Sequence, residues 1–451
     1  MLAAAYQSTK AAGHLSIYQA RSASINYICA MLLRSLKITD ADNALNGQTL
    51  DIRVKENLIT EMAPGLKPED QEEVIDFKGA YCSPGFIDMG AYLGDPGHEE
   101  REDITSLRAA ALAGGYVQVA TLPNTDPVRQ SVTDIAYLLR QNGSHPVDLY
   151  PLAALSKDMK GKDMVSMLEL HDAGTLIFTD GPKRRVSGSL LKRTLEYSLV
   201  RDLVVMISPY DEQLVPDGQI HEGPVSTRMG LRGIPTMSET IPLKQAMEIL
   251  NYTNGLMVVH LLSTAEGVAE VRRAKDLGMY ITATVSAHHL QFTVDELEGF
   301  DANFKMLPPL REATDRQALI EGLKDGTIDC IVSNHVARHG EEKELEFPYA
   351  DFGALGLQTA FRQALAALQG AMSIEEIAKK FTHSPALLLG SPALHLRPDA
   401  PARMTIFTID GSSEFTAKQL KGKTVNSPLI GKTLPGSIVG VVNYGQFHSA
   451  D

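Results

Sequence analysis

Cysteine is scarce in this sequence. The 451 residues include three cysteines, Cys29, Cys82 and Cys330, which are widely separated and form no C-x-x-C pair. This spacing excludes the disulfide framework of a small secreted protein and provides no thiolate zinc site. The sequence therefore predicts a protein of a reducing compartment, and we expect a cytoplasmic location.

An excess of positive charge is also missing. The formal net charge is −13, whereas nucleic-acid binding needs a basic face. The same acidity argues against docking on an anionic membrane. No apolar run in the sequence approaches the roughly 20 residues that span a bilayer. We therefore expect neither a nucleic-acid partner nor a membrane association.

Acidic residues are absent from the N-terminal segment, where the first one is Asp40. An acid-poor leader that contains serine, alanine and basic residues such as Lys10 and Arg21 can be a transit peptide. The simpler interpretation is that translation begins at Met31, where a strand-like segment opens. On either interpretation, residues 1–30 lie outside the predicted fold.

Eight short apolar runs alternate with helical patterns in the middle of the chain. They lie at 85–89, 116–122, 147–152, 174–178, 203–207, 256–260, 280–285 and 328–332. Ser373, followed three residues later by Glu376, predicts a capping box at the start of a late helix. Parallel strands that are covered by helices read as continuous apolar runs. Eight strand–helix units in about 300 residues favour a closed barrel, so we predict an α/β protein with a (β/α)8 barrel over residues 83–395.

The two flanks of this region have a different character. Residues 31–82 and 396–451 read as short β segments separated by turns, with Gly431, Pro435 and Gly436 in the second flank. Neither flank is long enough to bury much apolar surface alone. We therefore predict one small β-sandwich that is composed of both chain ends and lies beside the barrel.

The segment that ends the first run carries a family resemblance. Residues 85–97 read G-F-I-D-M-G-A-Y-L-G-D-P-G. This segment resembles the dihydroorotases of the cyclic amidohydrolase superfamily, whose equivalent segment reads G-F-I-D-x-H-x-H-L-R-E-P-G. The resemblance continues through T-L-P-N-T at 121–125, F-T-D-G at 178–181, S-A-H-H-L at 286–290 and F-K-M-L-P-P-L-R at 304–311. It covers roughly residues 32–448.

The resemblance implies a metal-dependent hydrolase barrel that interconverts carbamoyl aspartate and dihydroorotate. In such a site a metal centre makes a hydroxide near neutral pH, and an aspartate carries the proton. The metal-ligand positions of this sequence do not fit that chemistry. Gly90 and Tyr92 stand where the family has its His-x-His pair, and Ser208 and Leu261 stand at the histidines after strands five and six. Glycine and leucine have no donor atom, and a phenol is a poor zinc ligand beside imidazole.

The remaining metal-site candidates are few. Asp180 is the one family ligand that survives, and one carboxylate does not make a zinc or two-metal site. We therefore expect no metal cofactor, with zinc as the alternative. His260 lies one residue before Leu261, and because a one-residue shift in a strand reverses the side-chain direction, we expect it to point toward the helices.

The proton carrier and the substrate clamp of the family have also changed. Asn334 replaces the aspartate base, and an amide cannot accept and return a proton at neutral pH. Gly94 replaces the arginine that would bind the substrate carboxylate, and Leu307 replaces an asparagine. Asn124 and His335 remain as weak candidates for substrate binding.

Each surviving residue also has a structural interpretation. Asn124 follows a proline in a turn, where asparagine often bonds its own backbone. Asp180 precedes Gly181 and Pro182, which favours a turn or cap role over metal binding. We expect His288 and His289 to serve in packing or to support neighbouring site residues. The basic run at 183–185 is predicted to be a solvated loop, with contact to an acidic partner as the alternative.

Three functions fit these observations. The sequence resembles the non-catalytic dihydroorotase homologues that assemble with aspartate transcarbamoylase, so we predict a structural partner of that enzyme, a homo-oligomer, or both. The alternative is an active dihydroorotase with a rebuilt centre, for which the candidate residues are Tyr92, Asp180, Tyr210, Asp211, His260 and His335. A signalling homologue, comparable to the collapsin response mediator proteins, is a third possibility that nothing in the sequence selects.

Overall fold

The computed structural model describes residues 30–143, 145–182, 186–391 and 395–451. Cys29, the rest of the predicted leader before Ala30 and the basic run at 183–185 lie outside these ranges. The strands are β1 Met31–Ile38, β2 Thr49–Lys55, β3 Leu58–Ala63, β4 Glu73–Asp76, β5 Tyr81–Pro84, β6 Phe86–Ala91, β7 Tyr116–Thr121, β8 Asp148–Pro151, β9 Ile177–Phe178, β10 Val204–Ile207, β11 Ile220–His221, β12 Gly233–Ile234, β13 Leu256–Val259, β14 Ile281–Ser286, β15 Cys330–Val332, β16 Met404–Glu414, β17 Thr433–Asn443 and β18 Gln446–Ser449. The α-helices are α1 Ile104–Ala113, α2 Val132–Arg140, α3 Met167–Asp172, α4 Gly188–Ser198, α5 Pro224–Met229, α6 Met237–Thr253, α7 Ala265–Asp276, α8 Ala287–Gln291, α9 Ala313–Lys324, α10 Gly340–Lys343, α11 Ala360–Leu368 and α12 Ile374–Leu388.

The eight predicted barrel strands pair in parallel in two groups. One group has the order β6-β7-β8, and the other has the order β15-β14-β13-β10-β9. A parallel bridge between Ala153 and Phe178 joins the groups on one side. On the other side, the Tyr92 N–H donates to the His335 carbonyl over 2.9 Å. The ring is therefore closed, and the predicted (β/α)8 barrel is confirmed.

Helices cover the outside of this barrel. The capping box predicted for the late helix is present in α12, because Ser373 Oγ accepts from the Glu376 N–H and the Glu376 carboxylate accepts from the Ser373 N–H. At the base of the barrel, the Phe86 ring lies 4.9 Å from that of Phe361 and 5.9 Å from that of Phe407, measured between centroids. Phe407 belongs to β16, so this aromatic cluster packs the barrel against the strands of the chain ends.

Both chain ends combine in the β-sandwich. Its strands are hydrogen-bonded as one sheet in the order β18-β17-β16-β5-β1-β2-β3, with β4 also paired to β1. A bulge at Ser35, whose φ is +60°, lets β1 pair with β4 before it and with β5 after it. Strand β16 then joins β5, so the last strands of the chain complete a sheet that the first strands begin.

Among the described residues, a helix with the length and apolar character of a membrane span is not found.

The barrel helices present one buried face to the strands, as α4 does with Leu191 and Leu195. The C-terminal ends of the barrel strands, where the site of such a fold lies, are therefore the place to look for chemistry.

Candidate functional site

Gly90 lies near the end of the first barrel strand and faces the ring of a histidine. Its φ is +92°, and a Cβ atom built at this position would lie 2.6 Å from Nε2 of His260. His260 follows β13 and is buried, and its Nδ1 is hydrogen-bonded to Thr284 Oγ1 over 3.0 Å. Burial lowers the pKa of His260 to about 3, so the ring is neutral at physiological pH. The imidazole therefore fills the space in front of Gly90.

The prediction that His260 points toward the helices is wrong. Side-chain alternation applies within a strand, and here the strand ends at Val259. Leu261 already has a left-handed backbone with a φ of +65°. Because the pleat ends at this point, the free space at Gly90 determines the direction of the ring.

Tyr92 and Asp180 are already bound to other groups of the chain. The Tyr92 hydroxyl accepts from Arg101 Nη1 over 3.4 Å. The Asp180 carboxylate accepts from the backbone N–H groups of Leu155 and Ser156 over 3.0 and 2.9 Å, and from the Ser156 hydroxyl. Asp180 thus connects the loop after the third barrel strand to the end of the fourth.

Ser208 and Asn124 each place one buried oxygen near the barrel mouth without a hydrogen-bond partner among the described residues. Oδ1 of Asn124 lies against Gly181, where a Cβ atom would approach it to 2.3 Å. Burial raises the pKa of the nearby candidate Tyr210. Asp211 accepts from the Gln213 N–H as the cap of a short 3-10 helix.

Asn334 and Gly94, at the positions of the family's proton carrier and substrate clamp, both contact backbone carbonyl groups. The Asn334 amide donates to the Leu307 carbonyl over 3.3 Å. At Gly94, a Cβ atom would lie 2.2 Å from the carbonyl oxygen of His98 and 2.7 Å from that of Glu102. A side chain of any kind at position 94 therefore requires this loop to move.

His335 is paired with a carboxylate inside the protein. Its Nε2 lies 3.0 Å from Oε2 of Glu102, and the side chains are 2% and 0% exposed. The backbone N–H groups of Gly356 and Leu357 point at Nδ1 from 3.3 and 3.4 Å. Because Nδ1 accepts these bonds, Nε2 carries a proton and donates it to Glu102. The Ser106 hydroxyl donates to the other oxygen of the same carboxylate.

Sequence reasoning missed Glu102. It lies in the acidic segment H-E-E-R-E-D at 98–103, where nothing distinguishes it from the exposed Glu99 and Glu100. His288 and His289, which the sequence predicts to serve in packing or to support site residues, are both buried. Nδ1 of His288 bonds to Oε1 of Gln363, and Nε2 of His289 bonds to the Pro308 and Pro309 carbonyls.

Comparisons with known proteins agree with this fold. The family model described as Dihydro-orotase-like matches residues 79–266. A dihydroorotase from Carboxydothermus hydrogenoformans is 37% identical over 399 residues, which are 88% of this chain and 93% of the relative. A dihydroorotase from Geotalea daltonii is 34% identical over 394 residues, covering 86% and 92% of the two chains.

The chain belongs to the dihydroorotase family. Among solved structures, the L-hydantoinase (dihydropyrimidinase) from Arthrobacter aurescens superposes with a TM-score of 0.81 over 93% of this chain and 96% of that one. At 21% sequence identity this likeness shows a shared fold and nothing about activity.

The residues of this dihydroorotase-family chain do not fit the metal centre that the family implies. Within the described ranges, no group of three or more His, Cys, Asp or Glu side chains is arranged to hold a metal ion. Asp180 is committed to three donors, and the Tyr92 hydroxyl accepts from an arginine. His260 is left as a single imidazole, and one imidazole does not hold a catalytic divalent ion. We therefore derive no reaction step through a metal.

Space for a substrate is also small near His335. The cavity beside this residue has a volume of about 10 Å³, which is room for about one water molecule. Its walls include Thr359, Phe415 and Ser427. The arrangement can hold a histidine and a carboxylate in a fixed geometry, but at this point it does not admit a molecule the size of dihydroorotate.

Proposed function

We propose that this dihydroorotase-family chain has lost dihydroorotase catalysis and serves in pyrimidine biosynthesis as a structural partner of aspartate transcarbamoylase. One observation carries the first half of the proposal. The ring of His260 occupies the space into which a side chain at Gly90 would extend. A ligand from the first strand has no room there, so the chain lacks the means to generate a metal-bound hydroxide.

The other parts of the reaction are missing at the same end of the barrel. An amide at Asn334 cannot take up and return the proton. The loop around Gly94 excludes an arginine, so no guanidinium can clamp the substrate carboxylate. The Nε2 atom of His335 donates its hydrogen bond to Glu102 and is not directed at a substrate. The proton carrier and the carboxylate clamp are therefore both absent at this end of the barrel.

The second half of the proposal rests on what has been retained. The chain aligns with an enzyme relative over 88% of its length, although the residues that would carry the chemistry differ. A protein that keeps the family fold without the catalytic groups is expected when selection acts on a surface that binds a partner. Light scattering and co-purification with the transcarbamoylase of the same organism test this half, and the expected result is a stable complex that elutes as one species.

Metal content and turnover test the first half. Because the metal-ligand set is incomplete, purified protein is expected to hold well under about 0.1 zinc per chain and to cyclise carbamoyl aspartate at the background rate. Elemental analysis and a cyclisation assay give both values. The dihydroorotase of Carboxydothermus hydrogenoformans, treated identically, is the positive control. Stoichiometric zinc together with turnover would overturn the proposal.

The competing function is an active dihydroorotase with a remodelled centre. The names of the curated relatives favour it, since proteins 37% and 34% identical to this chain are called dihydroorotase. Within the described residues, the Nε2 atom of His260 is a buried nitrogen without a hydrogen-bond partner and is the best donor such a centre could use. If the assay detects turnover, His260→Ala should abolish it.

Restoring the His-x-His pair alone is not expected to restore activity. In a Gly90→His, Tyr92→His variant, Ser208, Leu261 and Asn334 still lack the remaining ligands and the proton carrier. The cyclisation assay should therefore stay at background even with added zinc. A circular dichroism spectrum shows whether the variant folds. Turnover in this variant would mean that the strand-end loops supply ligands that we have not assigned.

A further inference from the structure

One loop beside the barrel mouth exposes apolar side chains that are not packed into the barrel core. Residues 344–351, here called the 344–351 loop, follow β15 and α10 and therefore lie on the C-terminal face of the barrel. Tyr349 is 72% exposed and Leu345 is 50% exposed. Phe300 of a neighbouring loop is 50% exposed, and its ring contacts Phe347 with a centroid distance of 6.1 Å. Leu345, Tyr349 and Phe300 are called the mouth patch below.

We propose that the mouth patch is the docking surface for a partner protein with a basic surface. This inference rests on the proposed function, because it names the surface through which the structural partner is held. An exposed tyrosine beside apolar neighbours is typical of the centre of a protein interface.

The 344–351 loop is held rigidly from beneath by two buried lysines. The ammonium group of Lys305 donates to the carbonyls of Phe347 and Pro348 over 2.7 and 3.2 Å. That of Lys343 donates to the carbonyls of Asp351 and Gly353 over 2.8 and 3.0 Å. Because the backbone is fixed in advance, a partner that binds Tyr349 loses little loop entropy.

The backbone at Phe300 supports the same interpretation. Its φ is +56°, a left-handed conformation that a bulky aromatic residue rarely adopts. Such a conformation is unfavourable and is retained when the surrounding structure imposes it. Here it places an aromatic ring at the surface beside Phe347, where it widens the mouth patch.

The charges around the mouth patch decide the kind of partner. The exposed Glu341, Glu344 and Glu346 form no ion pair with any residue that the structure describes. A second copy bound by a two-fold axis would place these carboxylates against themselves, which like-charge repulsion disfavours. Anionic membranes and nucleic acids are disfavoured for the same reason. A protein whose surface carries arginine and lysine around an apolar pocket is complementary to the patch.

A second set of exposed apolar residues supplies the control. Tyr252 is 70% exposed and Leu277 is 65% exposed, and they precede β13 and β14 on the opposite face of the barrel. Lys192 lies over the Tyr252 ring and pairs with Glu196, so the charge near Tyr252 is balanced. Tyr252→Ala removes as much exposed aromatic surface as Tyr349→Ala does, without touching the mouth patch.

The test measures binding of the full-length protein to purified aspartate transcarbamoylase of the same organism by biolayer interferometry. Tyr349→Ala combined with Leu345→Ala is expected to raise Kd by about 30-fold or more. Glu344→Lys combined with Glu346→Lys is expected to lower the association rate about tenfold at low salt. Tyr252→Ala should leave both values unchanged, and thermal midpoints show that every variant is folded.

The outcomes separate the two proposals. If the wild type binds and the Tyr349→Ala, Leu345→Ala variant binds equally well, the mouth patch is not the docking surface and the proposed function stands. If Tyr252→Ala is the change that weakens binding, the interface lies on the opposite face and this inference is overturned. If the wild-type chain does not bind the transcarbamoylase, the partner half of the proposed function fails, and the assignment of the mouth patch fails with it.

Discussion

Gly90→His is expected to lower the free energy of unfolding by about 4 kcal/mol. Part of this loss comes from the backbone, because a φ of +92° is a conformation that residues with a Cβ atom avoid. The larger part comes from overlap, since the new Cβ atom would lie 2.6 Å from Nε2 of His260 in a packed interior. Because the chain contains no tryptophan, urea unfolding is best followed by far-UV circular dichroism.

Two further variants divide this loss into its causes. Gly278 has a similar φ of +80° but no atom within 4 Å of its Cβ position, so Gly278→His measures the backbone cost without the overlap. Adding His260→Gly to Gly90→His removes the overlapping ring and should recover about 2 kcal/mol. If Gly90→His is tolerated as well as Gly278→His, the ring of His260 does not restrict position 90, and the main support for the proposal that the metal site is lost fails.

The barrel could be predicted from the sequence because its strands are buried on both sides. A parallel strand under helices has no polar face, so each of the eight runs stands out as an apolar block. The run at 174–178 is the least well delimited, since the strand itself is Ile177–Phe178. The capping box at Ser373 was equally visible, because it depends on residues three positions apart. The apolar runs and the capping box could be predicted because each depends on residues that are close together in the sequence.

The candidate site was less predictable because its contacts join distant parts of the chain. The direction of His260 depends on the missing side chain at Gly90, which lies 170 residues away in the chain. The pairing of Glu102 with His335 likewise joins the first barrel strand's loop to the end of the last strand. Side-chain alternation predicts the direction of residues within one strand and does not predict contacts between distant parts of the chain. The family pattern identified which residues had changed, but only the fold shows what now fills their space.

The contacts of His260 with Gly90 and of Glu102 with His335 share one feature: in each, a polar side chain of the site packs against another part of the protein. His260 packs against Gly90, where the family's sequence pattern has a histidine, and Glu102 accepts the Nε2 proton of His335, which the sequence suggested for substrate binding. Asp180 is likewise bound to backbone N–H groups rather than directed into an open cavity. Several polar groups of the site are thus hydrogen-bonded within the protein, whereas His260 Nε2, Asn124 Oδ1 and Ser208 Oγ are buried without a partner among the described residues. Such a site contributes to stability, so its substitutions should be measured first as changes in folding.

Glu102→Ala is therefore expected to lower the free energy of unfolding by about 3 kcal/mol. The carboxylate is fully buried and accepts from both His335 Nε2 and the Ser106 hydroxyl. Its removal leaves His335 Nε2 without its acceptor, leaves the Ser106 hydroxyl with only the Asp103 carbonyl at 3.2 Å, and opens a small void beneath Gly422. Glu99→Ala, three residues earlier on the exposed side of the same loop, should change stability by less than about 0.5 kcal/mol.

Glu102→Gln and a double-mutant cycle determine whether the loss belongs to the His335 pair. The amide oxygen of Gln can still accept from Nε2, and its NH2 group can donate to Ser106, so the loss should fall to about 1 kcal/mol. In the cycle with His335→Ala, the two single losses should exceed the double loss by about 1–2 kcal/mol, because both remove the same contact. Strict additivity would show that Glu102 and His335 do not stabilise the fold together. His335 would then be free to serve a ligand, and the enzyme with a remodelled centre would become the better account of this barrel.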